Sequence, residues 1–331
     1  MKNPARVVGF LLAILCASRA SALGHTTRTV VDEARGRTLP LHVYYPTDAT
    51  GPRASVGDVP VFPSLDVVED APMKDGVAPL TVISHGSGGT PFDLAWLVPT
   101  LVERGHVVVM LTHPGNNWDD LDDRETLQIW NRPRDVTVAL DFVLADDTIA
   151  PHVDGTSVLA IGHSLGGYTV LALGGARYDV ERARAHCASP ARDPSCHFVP
   201  KVDRSTIDYR PSSKSYRDPR ITRIVALAPA VGSGIDPRSY ADVTARVLII
   251  ATRDDALTVV DAHALKHAHA LGTPLLVLPS GSHFAFVGPC NLAGRLASLV
   301  ALDVCQEPGR TPRAEIHAKV ARAIVTFVDD P

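Results

Sequence analysis

Ser157-Val-Leu-Ala-Ile-Gly-His-Ser-Leu-Gly-Gly-Tyr168 is the stretch whose reading decides the fold. An apolar run, 157–161, leads straight into Gly162-His163-Ser164-Leu165-Gly166. A helix-forming stretch, 165–174, follows at once. A G-x-S-x-G pentapeptide between a strand and a helix is the setting of a nucleophile elbow. Such a turn forces the serine into strained backbone angles and lifts its hydroxyl above the sheet. Glycines on either side remove the Cβ atoms that would collide as strand and helix close on each other. The helix start leaves backbone N–H groups unpaired beside the serine. No Gly-Lys-Ser/Thr follows, which excludes a Walker-type phosphate loop. Ser164 is therefore the candidate nucleophile.

Working outward, the same rhythm of short apolar runs and helical spacings fills most of the chain. Strands are expected at 28–31, 38–45, 80–83, 106–111, 157–161, 221–227, 246–251 and 274–278. Helices are expected at 92–103, 134–144, 165–174, 259–270 and 313–328. Continuous apolar strands alternating with helices predict a mostly parallel central sheet covered on both faces. Such a sheet works at the carboxyl ends of its strands. Residues 46–78 are rich in Pro, Gly and Asp and read as one long loop. Residues 178–219 carry Pro190, Pro194, Pro200 and Pro211 with little apolar periodicity. Lying after the nucleophile helix, they are placed either as a cap over the site or as a surface excursion without contact to it.

The carboxyl-end rule picks the partners of Ser164. Asp255 follows the strand 246–251, and His283 follows 274–278 in Ser280-Gly-Ser-His-Phe284. Ser164, Asp255, His283 is the Ser…Asp…His order that accompanies such an elbow. His283 would take the serine proton and Asp255 would fix its tautomer. Asp254 is the rival acid. Donors for a tetrahedral oxyanion are expected from the N–H of Leu165 and from the loop Ser84-His-Gly-Ser-Gly-Gly89, with Ser87 preferred and Gly86 second. His85 precedes the serine and reads as loop-shaping. His263, His267 and His269 share a predicted helix, and i,i+4 spacing can hold a metal. A solvated helix face is the favoured account. The acidic group Asp119, Asp120, Asp122 and Asp123 after Trp118 reads as a solvated loop rather than a calcium site. No metal and no cofactor are expected.

The chain has 331 residues, 45% hydrophobic and 21% charged, which suits a folded globular protein. Lys2 and Arg6, the apolar stretch 7–17 and Ala20-Ser-Ala22 make a signal peptide, with cleavage expected after Ala22. Loss of Lys2, Arg6 and Arg19 moves the formal charge from −4 to −7. That balance excludes the basic footprint of nucleic-acid binding. No other apolar run is long enough to span a bilayer. A soluble exported protein, secreted or periplasmic, is expected. Export makes Cys187, Cys196, Cys290 and Cys305 candidates for disulfides. Three pairings are open, and the short loops Cys187–Cys196 and Cys290–Cys305 are the economical one. Zinc is disfavoured because no C-x-x-C pair is present.

These residues resemble a known family. Residues 79–89, Leu94-Ala-Trp96, His113-Pro-Gly-Asn116, Gly162-His-Ser-Leu-Gly-Gly-Tyr168 and Gly281-Ser-His-Phe284 look like the bacterial predicted dienelactone hydrolase group. That group is related to platelet-activating-factor acetylhydrolases and to bacterial cutinases. The resemblance runs over about residues 40 to 330. It implies the α/β-hydrolase fold in a single catalytic domain, 23–331, and a serine hydrolase without a cofactor that acts on a small or lipid-like ester. Dienelactone hydrolases use a cysteine where Ser164 stands, so the group's name does not carry its activity over. The acid position of the platelet-activating-factor enzymes falls on Ala228, whereas the cutinase placement falls on Asp255. A carboxylic-ester hydrolase is the reading adopted. Polyester, lipase-like, amidase or thioesterase activity on the same residues is the alternative within enzymes. A non-catalytic binding protein on the same scaffold is the alternative outside them.

Overall fold

A computed structural model describes residues 22–57, 61–188, 193–297, 303–306 and 311–330. Residues 1–21, which hold nearly all of the expected signal peptide, lie outside these. Among the described residues ten strands form one sheet: β1 (Ala22–Asp32), β2 (Arg37–Thr47), β3 (Ala54–Val56), β4 (Leu65–Glu69), β5 (Ala78–Ser84), β6 (Val107–Leu111), β7 (Val153–His163), β8 (Ile221–Leu227), β9 (Arg246–Thr252) and β10 (Leu275–Leu278). Their order is β10-β9-β8-β7-β5-β6-β2-β1-β4-β3. From β10 to β6 every neighbouring pair is parallel. The hairpin of β1 and β2 joins β6 antiparallel, through Leu41↔Leu111 to Tyr44↔Val108.

The sequence of β6 shows why the sheet is covered on both faces. Val107-Val-Val-Met-Leu111 is buried at all five positions. Alternate side chains enter different cores, as the two-residue period requires. Val107, Val109 and Leu111 join the core under α3 (Asn131–Val143), α4 (Leu165–Gly174) and α6 (Ala264–Leu271). Val108 and Met110 join the core under α1 (Val98–Glu103) and α8 (Arg313–Asp329). The fold is thus a doubly covered, mostly parallel sheet. The helix expected at 259–270 begins only at Ala264, and two further pieces of chain depart from the expected elements. Residues 46–78 are not one loop: β4 adds to β1 in parallel at Gly24↔Val68 and His25↔Glu69, and β3 pairs with β4. Such short strands depend on the edge they extend rather than on local pattern. Residues 92–103 fall in a 3-10 helix, Pro91–Leu97, which is kinked at Leu94 (φ −108°, ψ 15°), and in α1, which follows it directly.

The region 178–219 contains α5 (Val180–Cys187), begun by the Asp179 carboxylate, which accepts from the N–H of Glu181 and Arg182 at 3.0 and 3.1 Å. It packs on the α3 side, where Arg184 stands over the Tyr209 ring and Tyr209 meets Trp130 edge-on. Short helices α2 (Asp123–Leu127) and α7 (Leu292–Ala297) complete the described helices. The cysteines pair as the short loops predict, Cys187 with Cys196 and Cys290 with Cys305. Among the described residues, no helix is long and apolar enough to cross a membrane.

Candidate active site

Ser164 sits between β7 and α4 at φ 56°, ψ −117°. A non-glycine residue is strained there, and such strain persists only where the surroundings over-determine it. Here the Ser164 N–H donates to Leu227 O (2.9 Å), while Ser164 O accepts from Ala230 N (3.0 Å). The neighbouring glycines leave no alternative to themselves. A Cβ on Gly166 would lie 2.0 Å from Ser84 O, and one on Gly162 2.1 Å from Gly166 O. Both obstacles are backbone. Leu165 is the first residue of α4, so its N–H is among those a helix leaves unpaired.

The carboxyl ends of β9 and β10 bring Asp255 and His283 together. His283 Nδ1 lies 2.8 Å from Asp255 Oδ2. Asp255 Oδ1 accepts from the N–H of Leu257 (2.8 Å) and of Thr258 (2.7 Å). Burial disfavours its charge, but His283 and the Thr258 hydroxyl and N–H hold the carboxyl below the ordinary aspartate range. Asp254 is exposed. Among the described residues His283 Nε2 has no hydrogen-bond partner, and neither has the Ser164 hydroxyl. Both side chains line one cavity of about 310 Å³. Catalytic contacts in unliganded sites are commonly loose and tighten on the substrate.

The loop after β5 forms the opposite rim. Gly86 approaches closely, since a Cβ there would lie 3.4 Å from Ser164 Cβ. Ser87 is exposed beside it, and its Oγ accepts from Asn116 Nδ2 at 3.1 Å. The loop is braced from below. His85 is buried, with Nδ1 2.7 Å from Gly86 O and Nε2 accepting from His113 N (3.2 Å). Arg132, fully buried, donates to Asn116 Oδ1 (2.6 Å), Thr169 Oγ1 (3.2 Å) and His85 O. His113 bridges Ser84 Oγ (2.9 Å) and Asp135 (3.0 Å). Burial acts against the Asp135 charge, but His113 and Arg37 keep the carboxyl down at about 2.

Sequence reasoning did not reach several residues of the site. The cavity walls come from Val61 and Phe62 in the long 46–78 connection, from Phe284 and Val287 after His283, and from Val304. No described residue of 178–219 lines it. Thr258 is a further addition: its Oγ1 lies 2.8 Å from Asp255 Oδ2, 3.1 Å from His283 Nδ1 and 3.2 Å from Ala228 O. His263 and His267 require a correction, because they are buried rather than on a solvated face. His267 spans Tyr240 Oη (2.7 Å) and Ala230 O (2.9 Å), and His263 spans Asp193 Oδ2 (3.0 Å) and Gly232 N (3.2 Å). They are core histidines with polar partners. Metal-ligating types converge at His186, Asp193 and Cys196, but the Cys196 sulfur is committed to a disulfide and cannot act as a thiolate.

A hydroxyl on a strained elbow, an imidazole held by a carboxylate and the unpaired N–H of Leu165 at the helix start are parts that acyl transfer needs. Comparison with known proteins agrees with this geometry at the level of family. Residues 81–295 match the model described as "Alpha/beta hydrolase family". Cutinase est1 of Thermobifida alba is 30% identical over 115 residues, 34% of this chain and 36% of that protein. Cutinase cut1 of Thermobifida fusca is 29% identical over 115 residues, 34% and 33% respectively. The match thus spans about a third of these relatives' own length. The solved structure of a ferulic acid esterase from Streptomyces cinnamoneus superposes with a TM-score of 0.63 at 17% identity, over 94% of this chain and 90% of that one. That likeness is one of fold.

Proposed function

Because the chain belongs to the alpha/beta hydrolase family, we propose that it is an exported serine hydrolase acting on carboxylic esters, of the dienelactone hydrolase-like and cutinase-like kind. The observation that carries this reading is the convergence of Ser164, on its strained turn, and the His283–Asp255 pair on one cavity. The cavity is of small-ligand size and mostly apolar, which fits an ester with short or aromatic substituents. The relatives that match in part are cutinases by name and the neighbour in fold is an esterase by name, and the reading extends esterase chemistry to this chain. Two disulfides accord with an oxidising compartment and so with export.

In the proposed reaction His283 Nε2 takes the Ser164 proton as Oγ attacks the ester carbonyl carbon. Asp255 keeps the other proton on Nδ1 and stabilises the imidazolium. The oxyanion is received by the N–H groups of Leu165 and Ser87, with Gly86 next in line. Collapse expels the alcohol, which leaves with the proton held by His283. Water then enters by the same route and releases the acid. Hydrolysis of 4-nitrophenyl butanoate by purified protein tests the reading. Ser164→Ala and His283→Ala should each lose at least ~10³-fold in kcat with an unchanged melting temperature. A folded Ser164→Ala protein that still hydrolyses the ester would defeat it.

A further inference from the structure

The cavity at Ser164 contains one carboxyl that the proposed reaction does not use. Asp93 lines it and is only 7% exposed. Its Oδ1 is satisfied, accepting from Thr90 N (3.1 Å) and Thr90 Oγ1 (2.9 Å), a capping box that starts the 3-10 helix. Its Oδ2 has no hydrogen-bond partner among the described residues. A carboxyl oxygen without a protein donor, on a residue that lines a cavity, is open to a donor from a ligand. The chain around Oδ2 is shaped to leave it room. A Cβ on Gly89 would lie 2.2 Å from Asp93 Oδ2 and 3.3 Å from Gly86 O. Gly89 does not have the positive φ that would itself demand glycine. The missing side chain therefore makes room for the carboxyl oxygen, on the same strip of chain that carries Gly86 and Ser87 towards Ser164.

We propose that Asp93 Oδ2 accepts a hydrogen bond from a hydroxyl group on the substrate, so that this site selects hydroxyl-bearing esters over their deoxy counterparts. This rests on the reading of the cavity as an ester site. Phe62, Trp118 and Phe284 supply the aromatic part of the wall; of its polar side chains Ser87 is engaged by Asn116 and Thr90 by Asp93, so Asp93 Oδ2 is an acceptor left to orient a ligand there. A neutral donor fits better than a cation. Burial pushes the Asp93 carboxyl up to about 6, against the Thr90 bonds and the charge of Arg132. A substrate ammonium would also meet the field of the Arg132 guanidinium, which bears on Asp93 from a distance.

The test uses matched ligands: methyl 3-(4-hydroxyphenyl)propanoate against methyl 3-phenylpropanoate, and 2-(4-hydroxyphenyl)ethyl butanoate against 2-phenylethyl butanoate. Binding is measured by calorimetry on the Ser164→Ala protein, so that the result does not depend on turnover. At least one pair should show about tenfold tighter binding of the hydroxyl member. Asp93→Asn keeps the Thr90 bonds through its carbonyl oxygen but presents an NH₂ where Oδ2 stood. In that background the preference should vanish, as it should in Asp93→Leu if that variant folds. Absence of any preference in both pairs, or a preference that survives Asp93→Asn, would overturn the proposal and leave Asp93 a capping residue. Tighter binding of a trimethylammonium analogue than of the hydroxyl member would replace it with a cation site. Turnover of the same esters by the unmodified protein is a separate readout. Its absence alongside an Asp93-dependent preference would sink the hydrolase reading and spare this one.

Discussion

Thr258 is the residue whose role depends most on single atoms. Its hydroxyl has one proton and three neighbours: Asp255 Oδ2, His283 Nδ1 and Ala228 O. Asp255 is held by two backbone N–H groups in any case, so Thr258 is not needed to keep the carboxylate in place. Its added effect is on direction. The His283 Nδ1–H sees Asp255 Oδ2 and Thr258 Oγ1 together, which fixes the plane of the ring and so the aim of Nε2. Thr258 is thus a positioning residue. Thr258→Val keeps the shape and removes the hydroxyl. Loss of one hydrogen bond to a charged group predicts a fall in kcat of about tenfold, with KM little changed because no ester atom is touched. Thr258→Ser should restore most of it. Steady-state kinetics of the two variants decide the matter, and a loss in Thr258→Ser with none in Thr258→Val would mean that packing of the threonine methyl is what counts.

At the scale of elements, the strand–elbow–helix unit combines legibility and rigidity. Gly162 and Gly166 can be read as required from the pentapeptide alone, and the contacts that require them are Gly166 O and Ser84 O. Gly166→Ala would drive a methyl into the backbone of β5, which cannot yield without separating two central strands. A loss of about 3 kcal/mol, read as a lower denaturation midpoint with unchanged m-value, is expected, and a stability within 0.5 kcal/mol or so of the parent would refute the account. Where continuous apolar runs lie between helices, as at Val107–Leu111, pattern alone placed the strand to within a residue. Pattern failed where an element exists only because of its neighbour. β3 and β4 are of this kind, and so is α5, whose local signal is the Asp179 cap. The order of Ser164, Asp255 and His283 was legible because it follows from where strands end. The cavity walls at Phe62 and Val304 were not: the Cys290–Cys305 link could be read from spacing, but the packing of Phe62 and Val287 against it, which sets these walls, could not. His263 and His267 illustrate the opposite error. Their i,i+4 spacing suggests one helix face, but His263 is the non-helical residue before α6, turned to Asp193 and Gly232, and spacing does not say that His267 faces Tyr240 and Ala230.

For the molecule as a whole, the buried histidines make acid the condition to which the fold is most exposed. Burial lowers His25, His42, His106, His267 and His317 from 6.5 to about 4, and His113 and His163 to about 3. Above pH 6.5 these rings are neutral in both folded and unfolded chains and stability does not change through them. Between pH 6.5 and 4 the unfolded chain takes up protons that the folded chain refuses, so stability falls as pH falls, by about 1.4 kcal/mol per pH unit for each proton of difference. The depressed carboxylates act lower down. Asp135, held at about 2, stabilises above the unfolded aspartate value and loses that contribution only as pH drops through its folded value. The two effects therefore occupy separate windows, and the histidine window comes first on acidification. Urea unfolding at intervals from pH 7.5 to 4.5, with the disulfides intact, should show constant stability down to about pH 6.5 and then a slope equivalent to several protons. His267→Gln, which removes one such ring from between Tyr240 and Ala230, should lower the stability at pH 7.5 and flatten the slope by up to one proton. A stability that stays level from pH 6.5 to 4.5 would mean that these histidines acquire protons in the folded chain as readily as in the unfolded one, and that burial does not govern their titration.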